Sequence, residues 1–282
     1  MGSNDIPPPH VSSSYHTVCA LLLGTGGILY TITYALMARQ SLRDRTYAMP
    51  LLPLAFNVAW EIIFALYVAE SAQEKAVFTT WLILDIGLVY ATVKYGQKEW
   101  RHAPVVGRHI GKILTASVLW WCWALWAICS WWLDEENPVN PKDGKIYRGA
   151  IGPDSTELGY WTALVAQAVL SCLSLAQIVV RGNGKGASYT AWMSRFVGSL
   201  SGLLAYYGYC WYVWPEAHSY CMSPFSICLM VTWIVADIAY FPVLRAVKRS
   251  DAVLRQERER AGQSKPKYLG KHQSTWLTVV HG

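Results

Sequence analysis

Four charged side chains fall inside long apolar stretches of this sequence: Glu61, Asp85, Arg195 and Asp237. Charge is costly to bury in a hydrocarbon environment, so residues of this kind are candidates for function. Three carboxyls face one guanidinium, and at least one acid must therefore lack a cationic partner. A desolvated carboxyl without such a partner favours its protonated form. A protonated carboxyl can donate a proton or belong to a proton relay. The competing reading is structural, with Arg195 paired to Asp85 or to Asp237 as polar glue between helices.

Aromatic residues crowd the same segments. Residues 111–133 include Trp120, Trp121, Trp123, Trp126, Trp131 and Trp132, and residues 188–213 include Tyr189, Trp192, Tyr206, Tyr207 and Trp211. Most of these suit packing or the headgroup belt of a bilayer. A ring face also attracts a cation. Acids at mid-depth beside aromatic walls suit chemistry that makes a carbocation from a greasy substrate. Trp60, Trp123, Tyr189 and Trp192 are the candidates for such walls. Asn57 lies one helical turn before Glu61 on the same face, within reach of the acid or of a substrate.

Several other chemistries lack their residues. The last apolar stretch has no lysine to carry a retinal Schiff base. No DDxxD-like cluster is present to hold Mg²⁺ on a diphosphate, and no His/Cys group has metal-ligand spacing. The stretch Arg181–Ser188 is Gly-rich and basic but does not fit the P-loop spacing. It reads as a tight turn with Ser188 near the next helix start. The expectation is no metal, no cofactor and no nucleic-acid partner.

The elements that must hold these residues are membrane spans. The 282 residues are 53% hydrophobic and 15% charged, against about a quarter charged in soluble domains. Seven apolar segments, at about 16–38, 49–69, 76–94, 111–133, 158–180, 188–213 and 225–244, are long enough to span as helices. By the rise of ~1.5 Å per residue, all four charges fit the cytosolic half of one bundle. Lys and Arg concentrate on alternate loops: Arg39 to Arg45, Lys94 to Lys112, Arg181 with Lys185, and the tail from Arg245 to Lys271. The opposite loops hold only Lys75, Lys142, Lys145 and Arg148. The positive-inside rule then puts the C-terminus in the cytosol and the N-terminus in the lumen. The fold expected is all-α, a polytopic bundle of seven transmembrane helices. It divides into a polar N-terminal segment (1–15), the bundle (16–244) and a basic cytosolic tail (245–282).

The first span is expected to serve as its own insertion signal, because the polar residues 1–14 do not read as a signal peptide. The loop 134–157, rich in Asp, Glu, Pro and Gly, reads as a solvated excursion rather than a cap. Seven scattered cysteines read as core residues, with Cys210 and Cys221 as a possible lumenal pair.

The stretch Ser41–Ile62 (SLRDRTYAMPLLPLAFNVAWEI) resembles the fungal membrane-bound terpene cyclases of meroterpenoid and indole-diterpene pathways, of the pyripyropene and paxilline type. The resemblance continues through Lys75–Trp81 (KAVFTTW), Trp100–Val105 (WRHAPV), Gly186–Gly198 (GASYTAWMSRFVG) and Ala236–Tyr240 (ADIAY). It covers residues 40–240. It implies a seven-helix, metal-independent cyclase that protonates a terminal epoxide or alkene of a prenylated substrate and drives a polyene cascade. It places the acidic catalytic positions on Glu61 and Asp237; Asp85 and Arg195 are the supporting residues that the buried charges themselves suggest.

The expected substrate is a prenylated, farnesyl-bearing compound. An upstream prenyltransferase and an epoxidase would supply it at the endoplasmic reticulum membrane. A proton-coupled transporter of a hydrophobic molecule would use the same buried acids, and a receptor or scaffold would use them only as glue.

Overall fold

The structure, a computed structural model, describes residues 1–263; the expected tail beyond that point lies outside the described residues. Nine α-helices carry the described residues: α1 (Tyr15–Asp44), α2 (Leu51–Ile63), α3 (Ala72–Glu99), α4 (Pro104–Trp132), α5 (Ser155–Arg181), α6 (Tyr189–Ser199), α7 (Tyr206–Val213), α8 (Pro215–His218) and α9 (Pro224–Gln263). The strands β1 (Ile146–Tyr147) and β2 (Ala150–Ile151) form a small antiparallel hairpin. Among the described residues six helical stretches are long and apolar enough to cross a membrane: α1, α2 with its π-helical end to Val68, α3, α4, α5 and α9. The expected segment 188–213 is helical throughout from Tyr189, but α6 and α7 are separated by a π-helical stretch, Leu200–Ala205.

Local chemistry explains the helix ends. Ser71 and Glu74 form a reciprocal capping box at the start of α3. Asp154 caps α5 by accepting from the amides of Thr156 and Glu157, both at 2.9 Å. Gly182 ends α5 with φ +59°, a left-handed position that suits glycine. Ser188 caps α6, as its place in the sequence suggests. The glycine-rich turn before it is already occupied. Asp251 accepts from the Gly184 amide at 2.7 Å, and Asp44 accepts from Gly186 at 2.8 Å.

In the bundle α2 is the central element. It packs on α3, α4 and α5, and Pro53 through Ala59 are all buried. Around it α1 packs on α3 and α6, and α5 on α9. The π-helical stretch allows a close crossing with α1. A Cβ on Gly26 would stand 2.9 Å from the Gly202 Cα, so only glycine fits.

Residues 134–157 do not form a solvated excursion. They close over one end of the bundle together with the N-terminal segment and α8. Lys145, fully buried, donates to Asp5 at 2.7 Å and lies 3.7 Å from Asp154. Lys142 bonds Asp154, Glu157 and the Ala217 carbonyl. Lys142, Lys145, Asp154 and Glu157 therefore find partners within the protein, while Asp134 to Glu136 and Asp143 stay exposed, a division that composition alone does not reveal. The cysteines are free thiols, and Cys210 lies 3.6 Å from Cys19 rather than against Cys221.

His218 sits in this cap. Its Nε2 is 3.3 Å from Lys145 Nζ and 3.2 Å from the Tyr15 hydroxyl, and its Nδ1 is 2.8 Å from the Tyr220 hydroxyl. An ammonium has no acceptor, so Nε2 accepts from Lys145 and Nδ1 carries the proton toward Tyr220. Burial, with the Lys145 charge beside it, pushes the imidazole down to about 2. Burial alone would raise the Asp154 carboxyl, but Lys145 and Lys142 outweigh it and hold the group below its usual range.

An opened cap returns His218 to its ordinary value of 6.5. The opened form then takes up a proton that the closed form refuses. Cap stability is full above that value and falls as pH drops below it. Hydrogen exchange of residues 140–157, corrected for intrinsic rates, should show protection weakened by up to about 2 kcal/mol at pH 5 relative to pH 7. His218→Gln should flatten the difference, and equal protection at both pH values in the native protein would contradict the assignment.

Candidate active site

Glu61 is presented by the last turn of α2, and Asp85 by the middle of α3. Both are buried, at 1% and 0% exposure, and among the described residues neither carboxyl has a hydrogen-bond partner. They lie close enough for like-charge repulsion. Glu61 lines a cavity of about 620 Å³ that extends to the N-terminal segment, whereas Asp85 sits behind its wall.

Rings enclose the acid. Tyr30 and Tyr34 from α1, Trp60 from α2, and Phe78 and Trp81 from α3 all line the cavity. Trp60 stacks on Phe64 with centroids 4.0 Å apart and meets Phe78 edge-on at 5.1 Å. Trp81 lies 6.1 Å from both tyrosine rings. The indole N–H groups are engaged, Trp60 with Thr162 at 3.0 Å and Trp81 with Thr31 at 2.9 Å. These bonds fix the two indoles in the cavity wall. Asn57 lines the same wall and donates to the Tyr34 hydroxyl at 3.0 Å.

Asp237 has a different environment. It is fully buried on α9 and ion-paired with Arg195 of α6. Ser171 donates to it at 3.0 Å and Gln167 at 3.2 Å. Arg195 also donates to Ser174 at 3.2 Å. Asp237 does not line the cavity. Gln167 does, and it accepts from the Tyr30 hydroxyl, which also bonds Ser199 at 2.8 Å. A chain of polar contacts thus runs from the cavity wall through Tyr30 and Gln167 to Asp237 and Arg195.

Residues 3–250 match the family described as Pyr4-like transmembrane terpene cyclases. The chain belongs to this family. The terpene cyclase ascF of Acremonium egyptiacum is 36% identical over 94% of each chain. The terpene cyclase atmB of Aspergillus flavus is 33% identical over 83% of this chain and 88% of its own. The terpene cyclase penB of Penicillium crustosum is 34% identical over 83% and 87%. No solved structure matches the chain. The resemblance seen in the sequence is thereby shown, and with six membrane-length helices this member of the cyclase family is a multi-pass membrane protein.

Within this cyclase scaffold the expected wall residues separate. Trp60 and Asn57 are in the cavity. Trp123 is 58% exposed on the outer face of α4, where a lipid-facing ring belongs, and does not reach the site. Tyr189 lies at the opposite end of the bundle, under the Lys248 ammonium at 5.3 Å. Trp192 donates to the Asp237 backbone carbonyl at 2.9 Å and stacks on Phe196, so it buttresses α9 from outside the cavity. Tyr30, Tyr34, Phe78 and Trp81 were not singled out by sequence. Their spacing carried a signal, since Tyr30 and Tyr34 are i and i+4 on one helix, and Trp81 precedes Asp85 by the same step.

The ion pair predicts a stability effect. Asp237→Asn leaves Arg195 buried without a counter-charge, which should destabilise the bundle by roughly 3–5 kcal/mol. Thermal unfolding in detergent should show a large drop for that variant and partial recovery in the double variant Asp237→Asn, Arg195→Gln. A single variant as stable as the native protein would show that the pair does not hold the helices.

Proposed function

We propose that this cyclase protonates the terminal epoxide or alkene of a prenylated, farnesyl-bearing substrate, with Glu61 as the proton donor. The observation that carries this reading is the environment of Glu61, a carboxyl in the cavity wall with no cation and no hydrogen-bond partner among the described residues. An ionised carboxylate there would forfeit its hydration with nothing in return, so the group holds its proton. On an epoxide, Glu61 gives that proton to the oxygen and the C–O bond opens. The neighbouring alkene attacks the carbon left electron-deficient. Each new ring moves the cation along the chain until a proton is lost or a nucleophile captures it.

The faces of Trp60, Trp81, Tyr30 and Tyr34 stabilise those cations. Asp85 is placed to return a proton to Glu61 between turnovers, the two carboxyls titrating as a pair. Asp237 is a positioning residue, which fixes Tyr30 through Gln167. No diphosphate ionisation is involved, and among the described residues no three His, Cys, Asp or Glu side chains converge to hold a metal ion. A prenyltransferase and, for epoxide substrates, an epoxidase supply the substrate.

The helical stretch 189–213 acts as the remaining span, which makes seven. The capped end then faces the lumen of the endoplasmic reticulum and the basic end faces the cytosol. The alternation of Lys and Arg supports this arrangement.

Two experiments test the reading. Glu61→Gln keeps the size of the side chain but cannot donate an acidic proton. Turnover of an epoxyfarnesyl arene, per unit of inserted protein, should fall by about 10²–10⁴ or more. Cyclisation at native rate would reject Glu61 as donor, and transport of an unchanged substrate into proteoliposomes would favour the carrier reading. For orientation, an N-glycosylation acceptor inserted at residues 134–140 should be modified and one at residues 183–185 should not; the reverse pattern would invert the topology.

A further inference from the structure

The walls of the Glu61 cavity are not alike. On α2, α5 and α6 the lining residues Asn57, Gln167, Leu170 and Ser199 are buried. On α1 and α3, in the half toward the cap, Ala20, Gly24 and Gln73 line the cavity and are exposed, and Leu23 is 37% exposed. Residues that line a cavity and also meet the surroundings of the protein mark where the cavity reaches the surface.

The packing of α1 on α3 shows how this opening arises. Toward the basic end a Cβ on Gly87 would stand 3.2 Å from the Ala38 Cβ, so the helices are close there. Midway, Trp81 donates to Thr31 at 2.9 Å, and a Cβ on Gly27 would stand 3.9 Å from the Trp81 ring. One turn nearer the cap, a Cβ on Gly24 would meet no atom within 4 Å. The two helices therefore diverge toward the cap. Ala20 and Gly24 stand on one side of the gap, Gln73 and Val77 on the other, each pair one helical turn apart on one face.

The end above the gap is shut. The Met1 ammonium pairs with Glu74, Asp5 is tied to Lys145, and a Cβ on Gly159 would stand 2.6 Å from the Met1 sulfur. The gap itself lies at the side. Gly24 is about 14 Å along α1 from Tyr15, by the rise per residue, in a helix long and apolar enough to cross a membrane. The opening thus faces acyl chains rather than water.

We propose that the gap between α1 and α3 is a lateral portal, through which the prenyl chain of the substrate passes from the bilayer core into the cavity. The occupant is an isoprenoid chain because the gap is continuous with the cavity that holds Glu61, and because such a chain gains free energy with every carbon kept from water. The inference rests on the cyclase reading for what the cavity receives, but not on which residue gives the proton. Gly24 controls access, since the side chain it lacks is the width of the gap.

Larger residues at position 24 test this, as the direction of their Cβ is empty. With an epoxyfarnesyl phenol in proteoliposomes, kcat/KM should fall in the order Gly24→Ala, Gly24→Leu, Gly24→Phe. The last should lose about tenfold or more, within the one to three decades over which association rates vary among variants of one site. Leu21→Phe enlarges an exposed residue of the same helix outside the cavity lining and should keep the native kcat/KM. In the native protein, a farnesyl phenol with a diazirine on its chain should label residues 20–28 and 73–77, and excess epoxyfarnesyl phenol should suppress the label. Native kcat/KM in Gly24→Phe, or an equal loss in Leu21→Phe, overturns the portal and leaves the protonation chemistry standing. So does a gap without label, or with a label that substrate does not suppress, which would assign the gap to lipid. Native cyclisation by Glu61→Gln would remove the donor instead, and the labelling would still report the way in.

Discussion

The Arg195–Asp237 ion pair commits the guanidinium of the apolar bundle, and the rest of the site follows from that commitment. With Arg195 held by Asp237, Ser174 and the Tyr240 ring, no cation remains near Glu61 or Asp85 among the described residues. A carboxyl in that position has no means of stabilising its charge, and the neutral acid is the state that the surroundings favour. The same pair fixes α6 to α9. Through Gln167 it sets the Tyr30 hydroxyl on the cavity wall. One interaction therefore ties helix packing, acid protonation and the placement of a wall residue together.

Aromatic rings wall the acid end of the cavity. The rings of α1, α2 and α3 satisfy their own polar atoms through Thr31, Thr162 and Asn57 and line the cavity beside Glu61. Water in such a site would quench a cation early. Rings that offer negative faces without offering nucleophilic lone pairs suit a cascade that must run through several cations. The cap adds a second barrier at the polar end, with Lys145 and His218 locked into a buried network rather than exposed to solvent.

How much of this was legible in the sequence depended on contrast. Glu61, Asp85, Arg195 and Asp237 stood out because charge is rare in apolar segments, and the alternation of Lys and Arg marked the loops. Aromatics gave no such contrast. In a chain with fifteen Trp and seventeen Tyr, a ring that faces lipid and one that faces a cavity sit in the same kind of segment. Trp123 and Trp81 differ only in which face of a helix they occupy. The cap was illegible because its partners are far apart in sequence, Asp5 with Lys145 above all. Polar composition reads as solvated until such pairs are seen. Asp237 was singled out by the resemblance and by its charge in an apolar segment; the depth estimate gives its height along a helix but not its azimuth. The π-helical stretch in the segment 188–213 had no signal of its own; Gly202 within it meets Gly26 of α1.

The central claim is that Glu61 is a neutral acid at working pH while Asp237 is held in the pair with Arg195. Infrared spectroscopy of the protein in lipid at pH 7 reads this directly from the C=O stretch of protonated carboxyls. The account predicts a protonated-carboxyl band that loses intensity in Glu61→Gln and is unchanged by neutralising the ion pair in the double variant Asp237→Asn, Arg195→Gln. A spectrum without such a band, or one whose band is untouched by Glu61→Gln, would contradict it.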